Sequence, residues 1–205
     1  RLNEIKKKRN YTMGAFLEAV TTWDASVITA IYENVHSAFL TMFFRIVTLL
    51  GEGGIFWIAV AVILLFFKKT RRSGICIGAS LLIGVIVGNG IIKNVVARPR
   101  PYDAIEGIES VVSHLSDYSF PSGHSLCCFE AATALAMNRT KWAIPAYVGA
   151  VLVAVSRLFL FVHYPTDVIC GALLGVLFGV LGSLAAGAIY DRVCANIAAS
   201  KKTPA

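Results

Sequence analysis

Long apolar runs separated by short charged turns set the pattern of this chain. The runs cover 55–67, 74–92, 122–137, 142–162 and 167–190. The run 142–162 has 21 residues, which as a helix is roughly 31 Å long at about 1.5 Å per residue. That matches a hydrocarbon core of about 30 Å. The run 55–67 is short for a span, and the Gly-Glu-Gly-Gly sequence at 51–54 marks a turn before it. Upstream, 11–34 is weakly apolar and broken by Glu18, Asp24 and Glu33, while 36–50 is apolar around Arg45. One tilted, polar-containing helix over about 26–50, preceded by an interfacial one, is expected there. The segment 97–120 reads as a polar loop with prolines at 99 and 101. The expected fold is all-α: a polytopic transmembrane helical bundle of about six spans, with five as the alternative.

Composition agrees with the pattern. The chain has 205 residues, 57% hydrophobic and 15% charged, against about 25% charged in a soluble domain. One transmembrane domain, 11–190, lies between basic tails at 1–10 and 191–205. The first tail has no apolar core and small-residue cleavage site after it, so it does not read as a signal peptide. The net charge of +7 could suggest a nucleic-acid partner, but its placement argues against one. Of 19 Lys and Arg, five lie in 1–10, four in 68–72, two in 138–141 and three after 190. Alternating spans put these 14 on one side, which the positive-inside rule makes cytoplasmic. The opposite side holds Lys93, Arg98, Arg100 and Arg157, with Arg45 left over. The five cysteines fall in apolar runs or at their ends without metal-ligand spacing, and read as small core residues. Gly171, Gly175 and Gly179 share one helix face, as do Gly84 and Gly88, which allows close helix packing.

The candidate chemistry gathers where apolar runs meet water. Arg157 lies inside an apolar run near its end, and His163 and Asp167 follow four residues apart. An arginine in lipid costs several kcal/mol and is by default a functional candidate with an anionic partner. Read alone, this stretch fits either a snorkelling arginine with a helix-capping aspartate, or a histidine oriented for nucleophilic or base chemistry. Two more clusters fall on the same side. One runs from Lys93 to Arg100-Pro101; the other is Pro121-Ser122-Gly123-His124. Lysine and paired arginines suit phosphate oxygens, and a helix opening at Ser122-Gly123 favours an anion. Two histidines allow one nucleophile and one general acid. The sequence shows no His/Asp/Glu group with the count or spacing of a metal site, so charge stabilisation is assigned to the cations.

At these residues the chain resembles the type 2 phosphatidic acid phosphatase superfamily of membrane lipid phosphatases. The family pattern is Lys-x6-Arg-Pro, then Pro-Ser-Gly-His, then Ser-Arg-x5-His-x3-Asp, and Lys93 to Asp167 fills it in order. The resemblance covers about 51–190 and implies a helical bundle with its site at a membrane surface. It implies catalytic roles for three residues: His163 attacks phosphorus and forms a phosphohistidine, Asp167 holds its ring, and His124 protonates the leaving oxygen and then activates water. Lys93, Arg100, Ser122, Gly123 and Arg157 are implied as the phosphate-binding set, with no metal and no cofactor.

Remaining residues carry open readings. Arg98 is either a second-phosphate contact or a solvated loop residue, and Glu130 either pairs within the bundle or accepts a substrate hydroxyl. His114 reads as a surface residue, His36 and Arg45 as interfacial, and Trp57 and Trp142 as belt aromatics. The expected partners are the lipid bilayer and a membrane lipid phosphate. The resemblance to small bacterial members favours a polyprenyl (undecaprenyl) diphosphate, handled outside the cytoplasm at the plasma membrane. A phosphatidylglycerophosphate or phosphatidic acid is the alternative, and a non-enzymatic lipid-binding protein the remote one. Charge gathered at one surface, not at the midplane, disfavours a transporter.

Overall fold

The computed structural model describes residues 2–35, 37–112 and 115–200, the first twelve of them as backbone only. In chain order the helices are α1 (Leu2–Asn34), α2 (Ala38–Thr48), α3 (Ile55–Phe66), α4 (Arg71–Ile83), α5 (Lys93–Val96), α6 (Pro101–Ala104), α7 (Gly123–Met137), α8 (Ala143–Phe159) and α9 (Pro165–Ser200). A 3-10 segment, Leu49–Gly54, joins α2 to α3, and a π-helical segment, Gly84–Ile92, joins α4 to α5. The chain is thus an all-helical polytopic membrane protein. Ala38–Phe66, Arg71–Ala104 and Pro165–Ser200 are each long and apolar enough to cross a membrane, and Ala143–Phe159 is a shorter apolar helix.

The helix α7 is the hub. It is buried nearly all round, on Leu126, Cys128, Glu130, Ala131, Ala132, Thr133, Ala134 and Leu135, as expected of a helix enclosed by others. Its small side chains join Cys76, Ile77, Ala150 and Val153 in one core cluster. The closest seam is with α9, where glycines repeat every four residues. A Cβ at Gly171 would lie 2.7 Å from the Ser122 carbonyl oxygen, one at Gly175 2.6 Å from that of Leu126, and one at Gly179 2.5 Å from Thr133 Cβ. No side chain fits there, so this face packs backbone to backbone, as the spacing predicts. The opposite, lipid-facing surfaces carry exposed Ile55, Phe66, Val85, Ile144 and Leu173.

Three expectations need correction. The expected helix over 26–50 is broken: α1 ends at Asn34, and Ser37 in extended conformation caps α2 by accepting from the Leu40 N–H at 3.3 Å. Ser, Thr, Asp and Asn favour that cap geometry, so the hydroxyl starts a new helix. Trp57 is not a belt residue. It is 6% exposed, and its Nε1–H donates to Cys128 Sγ at 3.2 Å, because its side of the first turn of α3 faces α7. Trp142, by contrast, is exposed. The apolar stretch 142–162 is helical only through Phe159. Phe161 then turns with φ of 58°, a region costly for a bulky residue, and the Tyr32 ring of α1 lies 5.0 Å away, edge-on. That turn carries His163 inward, where it is 1% exposed. His36 and His114 lie outside the described residues.

Candidate active site

The motif residues converge on a cavity of about 250 Å³. Lys93, Arg100, His124, Glu130, Arg157 and His163 all line it, with Gly123 at the start of α7. Lys93 follows the C-terminal end of the π-helical segment, Arg157 lies on the last turn of α8, and His124 on the first turn of α7.

His163 is held on both ring nitrogens. Arg100 NH1 approaches Nε2 at 3.4 Å and donates to the Val162 carbonyl at 2.7 Å. Arginine has no acceptor, so the Nε2 facing it carries the lone pair and Nδ1 the proton. On the Nδ1 side, Ser119 Oγ stands at 3.4 Å and Asp167 Oδ2 at 3.7 Å. The serine hydroxyl donates to that same Oδ2 at 2.5 Å. The histidine and aspartate are therefore joined largely through Ser119. Burial pushes the imidazole pKa down and, with the charges of Arg157 and Arg100, outweighs the hydrogen bond to Asp167 and its charge, leaving it at about 3. His163 is neutral at physiological pH.

On the other side of the cavity, His124 Nε2 meets Glu52 Oε2 at 3.3 Å. Its ring lies against Gly51, where a Cβ would come 2.8 Å from Cδ2. The turn at 51–54 is thus both a helix break and the seat of this histidine. Between the two histidines lie the cations. Arg157 NH1 donates to Thr48 Oγ1 at 2.6 Å, and its buried Nε has no hydrogen-bond partner among the described residues. Lys93 Nζ and Arg100 NH2 both hold Asp117, each at 2.5 Å. Burial pushes the Asp117 carboxyl up, but the hydrogen bonds and charges of Lys93 and Arg100 outweigh it and hold the pKa at about 2.

Two of the candidate residues stand elsewhere. Ser122 is fully buried; its N–H donates to the Asp167 carbonyl at 3.0 Å, and its Oγ accepts from Ser125 N–H at 3.4 Å. It caps α7 and is not on the cavity wall, so its capping geometry displaces the expected phosphate contact. Arg98 is not free for a second phosphate. Its NH1 donates to Asp167 Oδ1 at 2.6 Å and its NH2 to Asp24 Oδ2 at 2.7 Å. Two fully buried carboxylates hold it behind His163, away from the cavity. Asp167 itself lies behind His163, as expected for a residue that orients the ring. Glu130 is 1% exposed and faces the cavity, where its Oε1 and the Asn89 Oδ1 both lack hydrogen-bond partners among the described residues.

Sequence reasoning missed Asp24, Glu52, Asp117 and Ser119. The signal for two of them was proximity: Asp117 and Ser119 stand directly before Pro121-Ser122-Gly123-His124. Glu52 was hidden in a segment read only as a turn, and Asp24 in one read only as broken apolar sequence.

Known proteins match this arrangement. The chain is 40% identical over 120 residues to an undecaprenyl-diphosphatase of Sulfolobus acidocaldarius, covering 58% of each chain. It is 38% identical over 125 residues to a decaprenylphosphoryl-5-phosphoribose phosphatase of Mycolicibacterium smegmatis, covering 59% of this chain and 65% of that one. The chain thus spans about three fifths of the length of these curated relatives. A crystal structure of a transmembrane PAP2 type phosphatidylglycerolphosphate phosphatase from Bacillus subtilis superposes with a TM-score of 0.66 at 29% identity, over 80% of this chain and 84% of that one. The model of the PAP2 superfamily matches residues 73–190, which carry Lys93, His124 and His163 alike, and the chain belongs to that superfamily.

Proposed function

We propose that this protein is a lipid phosphatase working through a phosphohistidine on His163, with a polyprenyl diphosphate as its substrate. The observation that carries the reading is the lone pair of His163 Nε2, turned to Arg100 at the wall of a cavity that also holds Lys93, Arg157 and His124. His163 attacks the terminal phosphorus, and the three cations take up charge on the phosphoryl oxygens. His124 protonates the departing oxygen and then takes a proton from the water that opens the phosphohistidine. Glu52 steadies the imidazolium that enters the first step and forms again in the second. The relatives with polyprenyl-linked substrates support the choice of lipid. The cation-poor end of the bundle, where the motifs cluster, supports a site facing away from the cytoplasm.

A panel assay tests this. Inorganic phosphate release is measured in detergent, in excess chelator, from a polyprenyl diphosphate, phosphatidylglycerophosphate and phosphatidic acid. The expected outcome is full activity with chelator, an acid-labile phosphoenzyme, and the highest kcat/KM for the diphosphate. Activity restored only by a divalent ion would overturn the assignment of charge stabilisation to the three cations.

One observation favours a second reading. Glu130 Oε1 and Asn89 Oδ1 are buried acceptors without partners in the same cavity, and Arg98 is engaged elsewhere. A leaving group with hydroxyls, such as a glycerol or sugar phosphate, would satisfy both acceptors. On that reading Glu130→Leu impairs phosphatidylglycerophosphate turnover and spares the diphosphate.

A further inference from the structure

Asp24 lies on α1, outside the segment matched by the superfamily, yet it is fully buried and reaches the back of the site. Its Oδ1 accepts from the Thr166 N–H at 3.0 Å, and its Oδ2 accepts from Arg98 NH2 at 2.7 Å and from the Thr166 hydroxyl. Arg98 uses its other nitrogen, NH1, on Asp167 Oδ1 at 2.6 Å and on Thr166 Oγ1 at 2.8 Å, and its guanidinium stacks 3.9 Å over the Tyr164 ring. One guanidinium is therefore shared between two buried carboxylates. From the Asp167 end, Oδ2 stays turned toward Ser119, the Tyr164 N–H and His163.

We infer that Asp24 is a positioning residue for phosphoryl transfer, acting through Arg98 and Thr166 to fix Asp167 behind His163. Two effects follow from the geometry. The carboxylate takes a free N–H at the start of α9 from outside that helix, where a negative charge is favourable. It also balances Arg98. Without the Asp24 charge, the whole positive charge of Arg98 falls on Asp167, and less of that aspartate's field reaches the imidazole that must become cationic as it attacks. The effect belongs to the chemical step, so it appears in kcat and in formation of the phosphoenzyme, with little change in KM.

The inference rests on His163 as the nucleophile but not on the identity of the lipid. The test compares wild type, Asp24→Asn, Arg98→Gln and the double variant on whichever of polyprenyl diphosphate and phosphatidic acid turns over. Asparagine keeps the acceptor for Thr166 and removes the charge. The expected result for Asp24→Asn is a kcat lower by about ten- to a hundredfold, the range that small misplacements near reacting groups produce, with KM held. Single-turnover labelling of His163 should slow by the same factor while the labelled enzyme loses phosphate at the wild-type rate. The double variant should be no slower than Arg98→Gln alone, because the two residues act on one path. A purely structural Asp24 lowers the unfolding midpoint but leaves kcat intact below it, and that outcome overturns the inference, as does strict additivity of the two variants. If wild type carries no phosphohistidine, the proposed chemistry fails, and the kcat comparison and the additivity test still decide the role of Asp24.

Discussion

The two ends of the helical bundle both carry ion pairs, and the pairs differ in kind. At the α4–α9 end away from the cavity, Arg72 meets Asp191 at 3.0 Å, with side chains 38% and 57% exposed. At the cavity end, Arg98 meets Asp24 and Asp167, both at 0% exposure. An exposed pair is screened by water and salt and contributes little. A buried one is costly to assemble and more costly to break, because removing one partner leaves an unpaired charge. The difference teaches where charge in this chain is functional. Cations paired in the open contribute little; cations enclosed with carboxylates, or left with a donor that has no partner among the described residues, as in Arg157, are the candidates for function.

Replacing residues at each end turns that contrast into measurements. His163→Ala removes the nucleophile, and turnover should fall by at least a thousandfold, with no label trapped on the protein, as for loss of other covalent nucleophiles. Arg157→Lys comes next: lysine cannot fork onto two oxygens, and kcat should drop by about a hundredfold, comparable to losing one oxyanion donor. Near-normal kinetics for that variant would place Arg157 outside the reaction. Gly175→Val tests the frame instead of the chemistry. Its Cβ would meet the Leu126 carbonyl at 2.6 Å, and the overpacked seam should destabilise the protein by about 1–3 kcal/mol, read as a lowered unfolding midpoint in detergent.

A smaller effect comes from Asp117. Its carboxylate competes with a phosphoryl group for Lys93 and Arg100, so Asp117→Asn should lower KM modestly without raising kcat. The sign with pH follows from its depressed pKa of about 2. Pairing is present above the ordinary carboxylate pKa and is lost only as pH falls toward that value. The competition therefore persists across the physiological range, and a KM that already drops between pH 7 and 5 would refute it. Least of all, Arg72→Gln should leave kcat and KM unchanged and barely move the unfolding midpoint. A loss of activity there would erase the distinction between the two ends.

How much of this was legible in the sequence depended on whether partners were close along the chain. Lys93 with Arg100, and Arg157 with His163 and Asp167, sit at fixed short spacings along the chain, so their convergence on one site could be read together. The glycine repeat was legible for the same reason. Arg98 was not, because its decisive partner Asp24 is 74 residues away in a segment with no motif. Its charge looked spare only because nothing local accounted for it. Trp57 misled through its setting: an aromatic near the start of an apolar run fits a belt residue, and only the packing of α3 on α7 shows it is core. The helix expected over 26–50 failed on one hydroxyl, since Ser37 as a cap is indistinguishable in sequence from a serine within a helix. The turn at Phe161, which carries His163 inward, has no glycine to announce it.

The glycine seam between α7 and α9 has a further consequence, best put mechanically. His124 rides on the first turn of α7, and Asp167 on the first turn of α9, with His163 just before it. The two helices are clamped where Gly171, Gly175 and Gly179 press on the backbone of α7 and on the Cβ atoms of Ser125, Phe129 and Thr133. Such a joint has almost no compliance. The gap between His124 and His163 is therefore machined into the barrel of the protein, not tuned at its mouth. Lipids of different tail length and membranes of different thickness can load the outer helices while that gap holds its tolerance.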